Sequence, residues 1–475
     1  MQSWLKRALA YIPEWVSFQM RISEQPGCVI AVAHRRNVVL EQAFGCADLA
    51  TGEPLTPRHR FRVASHSKSF TAAGILRLRE QGRLSLDDQV SKFVPNLNPE
   101  VGRSTIAQLL SHSAGLSRDG GDDGQFADRR PFLNREEVLA ELENAPLVEA
   151  NTRFKYSNLG YGLLGMVIEA TTDEAYAKWI KREIVDKAEL EETEFDMPLG
   201  KGIPFMRGHT GRLVLGRRLT IPGDFSTNAI APAGGFVSTA ADLARFFAQL
   251  SPNAKKSILS KASRREMVRR QWRDPHAALE RYYGLGTISG TKDGWDWFGH
   301  SGGLQGYISN TRTLPGQDLT ISVLTNAADG WAGPWLDGAT HIFQTFAQHG
   351  APSRQVKDWT GRWWSLGGAI DLVPIGDRVM VANPAMWLPF LKASEIEASS
   401  RTEGRIAMSG GYGSFGEPVR CKRKKSGEIS ELWLAASELV PEADLAKEMI
   451  RRYEPSSAVG SSQLRKGKRS SRSDR

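Results

Sequence analysis

Ser65 and Lys68 set a hydroxyl and an amine three positions apart, at the head of a small, apolar stretch that reads as a helix. Positions i and i+3 share a helix face, so the amine can reach the hydroxyl. A serine hydroxyl is a weak nucleophile unless a neighbouring base takes its proton. Lysine serves as that base only where burial or a nearby cation disfavours its charged form. The run Ser69-Phe70-Thr71-Ala72-Ala73-Gly74-Ile75-Leu76 supplies an apolar setting, and no further charge follows until Arg77. A first helical turn also carries unpaired N–H groups and the positive end of the dipole, which would stabilise an oxyanion. The same spacing recurs at Ser3/Lys6, near the terminus, and at Ser289/Lys292, in a Gly-containing stretch that reads as a loop. Neither has that apolar context, and both read as turns or caps with a solvated lysine.

Two further elements belong beside the pair. In an extended Tyr156-Ser157-Asn158 the outer side chains point the same way. A phenol able to relay a proton and an amide able to hold a substrate carbonyl would then face one site. His300-Ser301-Gly302-Gly303 opens a C-terminal run of strands, where its glycines would let a substrate backbone lie along a strand edge. Taken singly these are a loop with a satisfied hydroxyl and a structural histidine. Taken in order, Ser65-x-x-Lys68, Tyr156-x-Asn158 and His300-x-Gly302 resemble the penicillin-recognising serine hydrolases. Within them the resemblance is to the branch that holds class C β-lactamases, D-aminopeptidases and esterases. Leu109 to Leu116, Ala233 to Phe236 and Gly299 to Gly306 agree, so the likeness runs from about residue 25 to about residue 350.

The resemblance implies a mixed α/β (α+β) fold of transpeptidase type: an antiparallel sheet flanked by helices, an all-helical lobe, and the site between them. It implies Ser65 as the acylated nucleophile and Lys68 as its base. Tyr156 would protonate the leaving group and later activate the deacylating water. The N–H groups of Ser65 and Gly303 would form the oxyanion hole, Asn158 would position the acyl side chain, and Ser301 and Gly302 would line the substrate. His300 stands where β-lactamases and peptidoglycan carboxypeptidases usually carry lysine. Near its reference pKa of ~6.5 a histidine is mostly neutral at pH 7 and grips a carboxylate less firmly. That favours a D-aminopeptidase-like or esterase-like reaction, on an amide or ester lacking a free carboxylate, over a true β-lactamase. His66, beside the nucleophile where small residues are usual, lies about 100° around the helix and suits a packing or supporting role.

Other readings compete. Gly299-His300-Ser301-Gly302-Gly303 also spells the G-x-S-x-G elbow of α/β-hydrolases, with Asp329 or Asp337 and His341 or His349 following in workable order. That fold needs a helix directly after Ser301, whereas Leu304 to Leu314 reads as strand. Gly411 to Gly416 matches a dinucleotide fingerprint by letters alone, without the strand–helix unit that would bind a pyrophosphate. A slow-acylating penicillin-binding sensor or scaffold would keep the fold and lose turnover.

The elements that must position these residues are legible in outline. The first ~25 residues read as an amphipathic helix broken at Pro13, and Gly27 to Phe44 as a hairpin. Helices are expected at Glu136 to Glu143 and Leu159 to Ala170, and a long loop region over 198–236. Thr239 reads as a capping residue before Leu243 to Leu250 and nothing more. Tyr307 to Leu314 and Leu319 to Thr325 flank a Pro-Gly turn, and Asp337 to His349 reads as a closing helix. Short alternating runs over 355–453 suggest a small antiparallel barrel or sandwich. The expected domains are therefore 1–352, a serine hydrolase; 355–453, the small β domain; and 454–475, a disordered basic tail.

With 475 residues and 40% apolar content the chain can bury a large core. Its net charge of +9 includes +5 from residues 456–475, where six cations face one acid, leaving +4 for the rest. The body is thus not strongly basic, which argues against specific nucleic-acid binding. Three cysteines without C-x-x-C spacing and nine histidines without H-E-x-x-H point to no metal and no cofactor. The apolar run Ala8 to Ile12 is cut by Pro13 and is too short for a signal core, and no stretch approaches a membrane span. The expectation is a cytoplasmic protein acting on a small-molecule or short-peptide substrate, with homodimerisation left open.

Overall fold

A computed structural model describes residues 1–275, 277, 280–410 and 414–454. The expected basic tail from 455 onward and the first half of the Gly411–Gly416 stretch lie outside the described residues. Two compact units are formed, Leu5–Gln344 and Met1–Trp4 with Thr345–Arg475.

A strand that is apolar along its whole length must sit in the middle of a sheet. In the larger unit β1 (Gly27–His34) is such a strand, buried over its first seven residues between β2 (Asn37–Asp48) and a distant strand near residue 320. The remaining strands of this sheet are β3 (Glu53–Pro54), β4 (Trp272–Arg273), β5 (Arg281–Tyr283), β6 (Ile288–Lys292), β7 (Trp295–Leu304), β8 (Tyr307–Leu314) and β9 (Leu319–Thr325). All are antiparallel, in the order β3-β2-β1-β9-β8-β7-β6-β5-β4. His300 of β7 lies opposite Thr311 of β8, which lies opposite Ser322 of β9. Pairing of β6 with β7 ends at Gly299, so residues 300–304 present an edge that β6 does not cover.

Alternation along β8 divides its side chains between two helical layers. On one face, helix α5 (Ala240–Leu250) crosses β1, β8 and β9. Opposite, Arg312 Nη1 donates to Thr340 Oγ1 of α6 (Ala332–His349) at 3.1 Å. The helical lobe contains α2 (Ser67–Glu80), α3 (Arg135–Glu141) and α4 (Asn158–Thr172). It is bound to the sheet layer by Phe70 of α2, whose ring stacks 4.4 Å from Phe236 and 3.9 Å from Phe246.

Three local expectations are corrected. Helix α1 (Ser3–Ser23) runs unbroken through Pro13. Its buried stripe of Leu5, Leu9, Ile12, Val16 and Met20 continues on both sides, and that burial outweighs one missing backbone bond. Ser289 and Lys292 lie in β6 rather than in a loop. Thr239 does cap α5, accepting from the Asp242 N–H at 3.3 Å, but Asp242 does more than follow a cap. Its buried carboxylate accepts from the Glu192 N–H at 2.8 Å and the Thr193 hydroxyl at 3.0 Å, fastening the loop before it.

Among the described residues of the smaller unit, eight strands between Gly361 and Leu439 follow one another in sheet order, each antiparallel to the next. Trp364 and Val440 exchange backbone bonds of 2.8 and 2.9 Å, which brings the ends together into a nearly closed barrel. Trp359, Trp363, Val379, Ile396, Val419 and Leu432 fill its interior. Among the described residues no helix is long and apolar enough to cross a membrane.

Candidate active site

The short strand Phe61–Arg62 pairs with Val237–Ser238, and the chain then bends through a 3-10 turn, Ala64–His66, into α2. Ala64 takes φ of +49°, in the left-handed region that a side chain resists by about 1–2 kcal/mol. Its neighbour Val63 holds the bend: the Val63 carbonyl accepts from the His66 N–H (3.2 Å), His66 Nδ1 (3.0 Å) and Ser309 Oγ (3.2 Å). His66 Nε2 in turn accepts from Thr311 Oγ1 at 3.0 Å. His66 is therefore a brace between the Ser65 turn and β8, and burial lowers its pKa to about 4. Ser65 is left half-buried and facing the cleft.

Lys68 is completely buried one turn on. Its Nζ lies 3.1 Å from Ser65 Oγ, 2.7 Å from Asn158 Oδ1 and 2.8 Å from the Ala233 carbonyl. Burial drives its pKa well below the ordinary lysine range; the Asp119 charge opposes this and the Arg118 charge reinforces it. A neutral amine has two protons and one lone pair. Asn158 Oδ1 and the Ala233 carbonyl can only accept, so with the amine neutral they would take both protons and leave the lone pair for the Ser65 hydroxyl.

Ser157 caps α4, its Oγ accepting from the Gly160 N–H, and this places Tyr156 and Asn158 on either side of Lys68. The Tyr156 hydroxyl donates to Ser65 Oγ at 2.9 Å, and burial holds it as a phenol, well above its ordinary pKa. The His112 ring packs 4.1 Å from the Tyr156 ring, and its Nδ1 accepts from the Ser157 N–H at 3.1 Å. Asn158 Oδ1 accepts from Lys68 Nζ at 2.7 Å and its Nδ2 donates to Asp119 Oδ1 at 2.6 Å, so the amide also orients Lys68, with one N–H beyond these two bonds.

His300 has both ring nitrogens engaged: Nδ1 donates to the Ser301 carbonyl at 2.7 Å and Nε2 accepts from the Tyr283 hydroxyl at 3.0 Å. Burial keeps it neutral, its pKa well below the ordinary value, with nearby His66 and Lys68 adding to the effect. Ser301 lies within β7, opposite Asn310, with strand on both sides. The nucleophile-elbow reading of Ser301 is thereby overturned, because no helix follows and the sheet is antiparallel. Gly302 lets β7 approach the Ser65 turn, since a Cβ there would stand 2.2 Å from the Val63 carbonyl oxygen.

Ser65, Tyr156, His300, Ser301, Gly302 and Gly303 thus share one cleft of about 350 Å³, with Lys68 and Asn158 immediately behind it. One wall is aromatic, from Phe154, Tyr282 and Tyr283. Arg118 stands at the mouth over the Tyr156 ring (5.4 Å), and Arg281 pairs with Asp274 at 2.6 Å. Sequence reasoning did not find Asp119, Tyr283 or the Ala233 carbonyl. Ala233 sat in a stretch already singled out, Asp119 in the segment 117–135 expected to set specificity, and nothing local signals Tyr283.

The β-lactamase family model matches residues 16–338. Protein flp of Staphylococcus aureus strain MRSA252 is 32% identical over 177 residues, 36% of this chain and 35% of that protein. The chain's match thus spans about a third of the length of the curated relatives. The octameric penicillin-binding protein homologue from Pyrococcus abyssi superimposes with a TM-score of 0.62 at 23% identity, covering 91% of this chain and 99% of that one. A D-stereospecific amidohydrolase from Streptomyces sp. gives 0.56 at 24% identity, over 67% and 94%. At these identities the two structures speak to the fold alone.

Proposed function

This chain belongs to the β-lactamase family, and from that premise we propose that it is a serine hydrolase that cleaves an amide or ester through an acyl-enzyme on Ser65. The observation that carries the reading is the convergence on Ser65 Oγ of Lys68 Nζ at 3.1 Å and the Tyr156 hydroxyl at 2.9 Å. Neutral Lys68 takes the Ser65 proton as Oγ attacks the substrate carbonyl. The oxyanion is met by the N–H groups of Ser65 and Gly303; losing one such donor costs about 3 kcal/mol. Tyr156 gives its proton to the leaving group, and its phenolate then takes up the proton that Lys68 removed from Ser65, which restores both groups. In deacylation the attacking water gives a proton to Tyr156 as Tyr156 gives its own to the departing Ser65 Oγ, because a phenol held protonated by burial passes a proton on better than it removes one.

A D-aminopeptidase-like or esterase-like reaction is favoured over a true β-lactamase. His300 is neutral and both its ring nitrogens are committed, so it offers no cation to a substrate carboxylate. The test is a panel of nitrophenyl esters, D- and L-aminoacyl anilides and a chromogenic cephalosporin, with wild type beside Ser65→Ala and Ser301→Ala. Turnover and fluorophosphonate labelling vanish in Ser65→Ala alone. Undiminished hydrolysis by that variant would refute the proposal, and a burst without steady release would indicate a sensor.

A further inference from the structure

Three segments of the larger unit, away from the cleft, enclose a cavity of about 370 Å³. They are the β1–β2 turn, the stretch 251–256 after α5, and the β8–β9 hairpin. Arg35, Arg36, Lys255 and Lys256 line it, against Asp318. Arg35 pairs with Asp318 at 3.2 Å, Arg36 and Lys256 share Glu189, and Lys255 has no acidic partner among the described residues. Four cations against two carboxylates leave two positive charges. The Arg35 and Lys256 side chains are 68% and 66% exposed, so their pairs are weak and readily exchanged for another anion.

Two observations aim this charge at a ligand. Arg35 and Arg36 have φ of 56° and 92°, at turn positions that ordinarily take Asn-Gly. Local preference is overridden to place two guanidinium groups together, a pattern typical of functional positions. On the floor, Thr313 Oγ1 and Thr320 Oγ1 lie 3.0 Å apart in residues no more than 2% exposed. Two hydroxyls carry two protons, and the bond between them uses one, so the pair has a second to offer an acceptor. The Ser251 and Ala254 carbonyls, which would repel an anion, are taken by Arg264 Nη1 at 2.6 and 2.9 Å.

We propose that this cavity binds a small, multiply charged oxyanion, with a phosphate-bearing molecule the best fit to paired guanidinium groups and a hydroxyl donor. The site is separate from Ser65 and does not depend on the hydrolase reading. The test is calorimetric titration of the full chain with pyrophosphate, and with citrate as a carboxylate comparison, at low and raised salt. Saturable binding is expected, weakened about tenfold by Lys255→Ala and further by added salt, and unchanged in Ser65→Ala. Lys255 is exposed and has no acidic partner among the described residues, so its removal leaves the fold intact; Arg36→Ala is the second variant. Tighter pyrophosphate than citrate assigns a phosphoryl ligand, and the reverse assigns a polycarboxylate of the same charge class. No binding of either at ~10 mM in low salt, or binding indifferent to both variants, overturns the proposal.

Discussion

Gly302→Ala should separate the position of the nucleophile from the stability of the fold. A Cβ at 302 would lie 2.2 Å from the Val63 carbonyl oxygen and 2.6 Å from Ser309 Oγ. A carbon–oxygen contact relaxes near 3.3 Å, so the overlap is about 1 Å. The Val63 carbonyl cannot yield alone, because it anchors His66 and Ser309 and precedes Ser65 by two residues. Relief therefore displaces the whole turn from β7, separating Ser65 from the oxyanion position at Gly303. A shift of about 1 Å at a reacting centre costs on the order of 100-fold in rate. Gly303→Ala is the matched control, since its Cβ would meet only Ile308 Cδ1, at an ordinary 3.5 Å. The assay is the second-order rate of fluorophosphonate labelling, with ester hydrolysis and thermal midpoints alongside. The expected result is a labelling rate down about 100-fold in a folded Gly302→Ala and within a few-fold of wild type in Gly303→Ala. A folded Gly302→Ala that labels at the wild-type rate would refute the reasoning.

Other outcomes follow from the same geometry. Because Lys68 must be neutral and burial depresses its pKa, the acid limb of kcat/KM should fall well below the ordinary lysine value of ~10.4, with activity kept at neutral pH and lost as pH drops through that limb. A limb at the ordinary value would contradict a buried base. Asn158→Leu should lower kcat about 100-fold with little change in KM, because the amide holds Lys68; a raised KM with kcat intact would instead show it touching substrate. For His66 the folded pKa of about 4 lies below the unfolded ~6.5, so its contribution is complete above pH ~6.5 and lost as pH falls toward 4, worth about 3 kcal/mol. His112 and His300, also held neutral by burial, steepen the loss. Urea midpoints recorded from pH 7 to 4 should fall accordingly, and a flat profile would count against three buried neutral imidazoles.

The sequence by itself determined the features set over short spans. The i, i+3 spacing of Ser65 and Lys68, the apolar run of β1 and the Pro-Gly turn between β8 and β9 are written in neighbouring residues, where helix and strand periods act directly. Only the tertiary structure decided which partners those residues meet. Asn158 turns to Lys68 and Asp119, and Tyr283 reaches His300, because separate segments fold against one cleft. Helix α1 survives Pro13 because its far side is buried, and Arg35 faces Lys255 across more than two hundred residues of chain. Periodicity fixes which way a side chain leaves the backbone; what waits there is fixed by long-range packing, and in this protein that packing buries Lys68, lowers its pKa and sets its Nζ 3.1 Å from Ser65 Oγ.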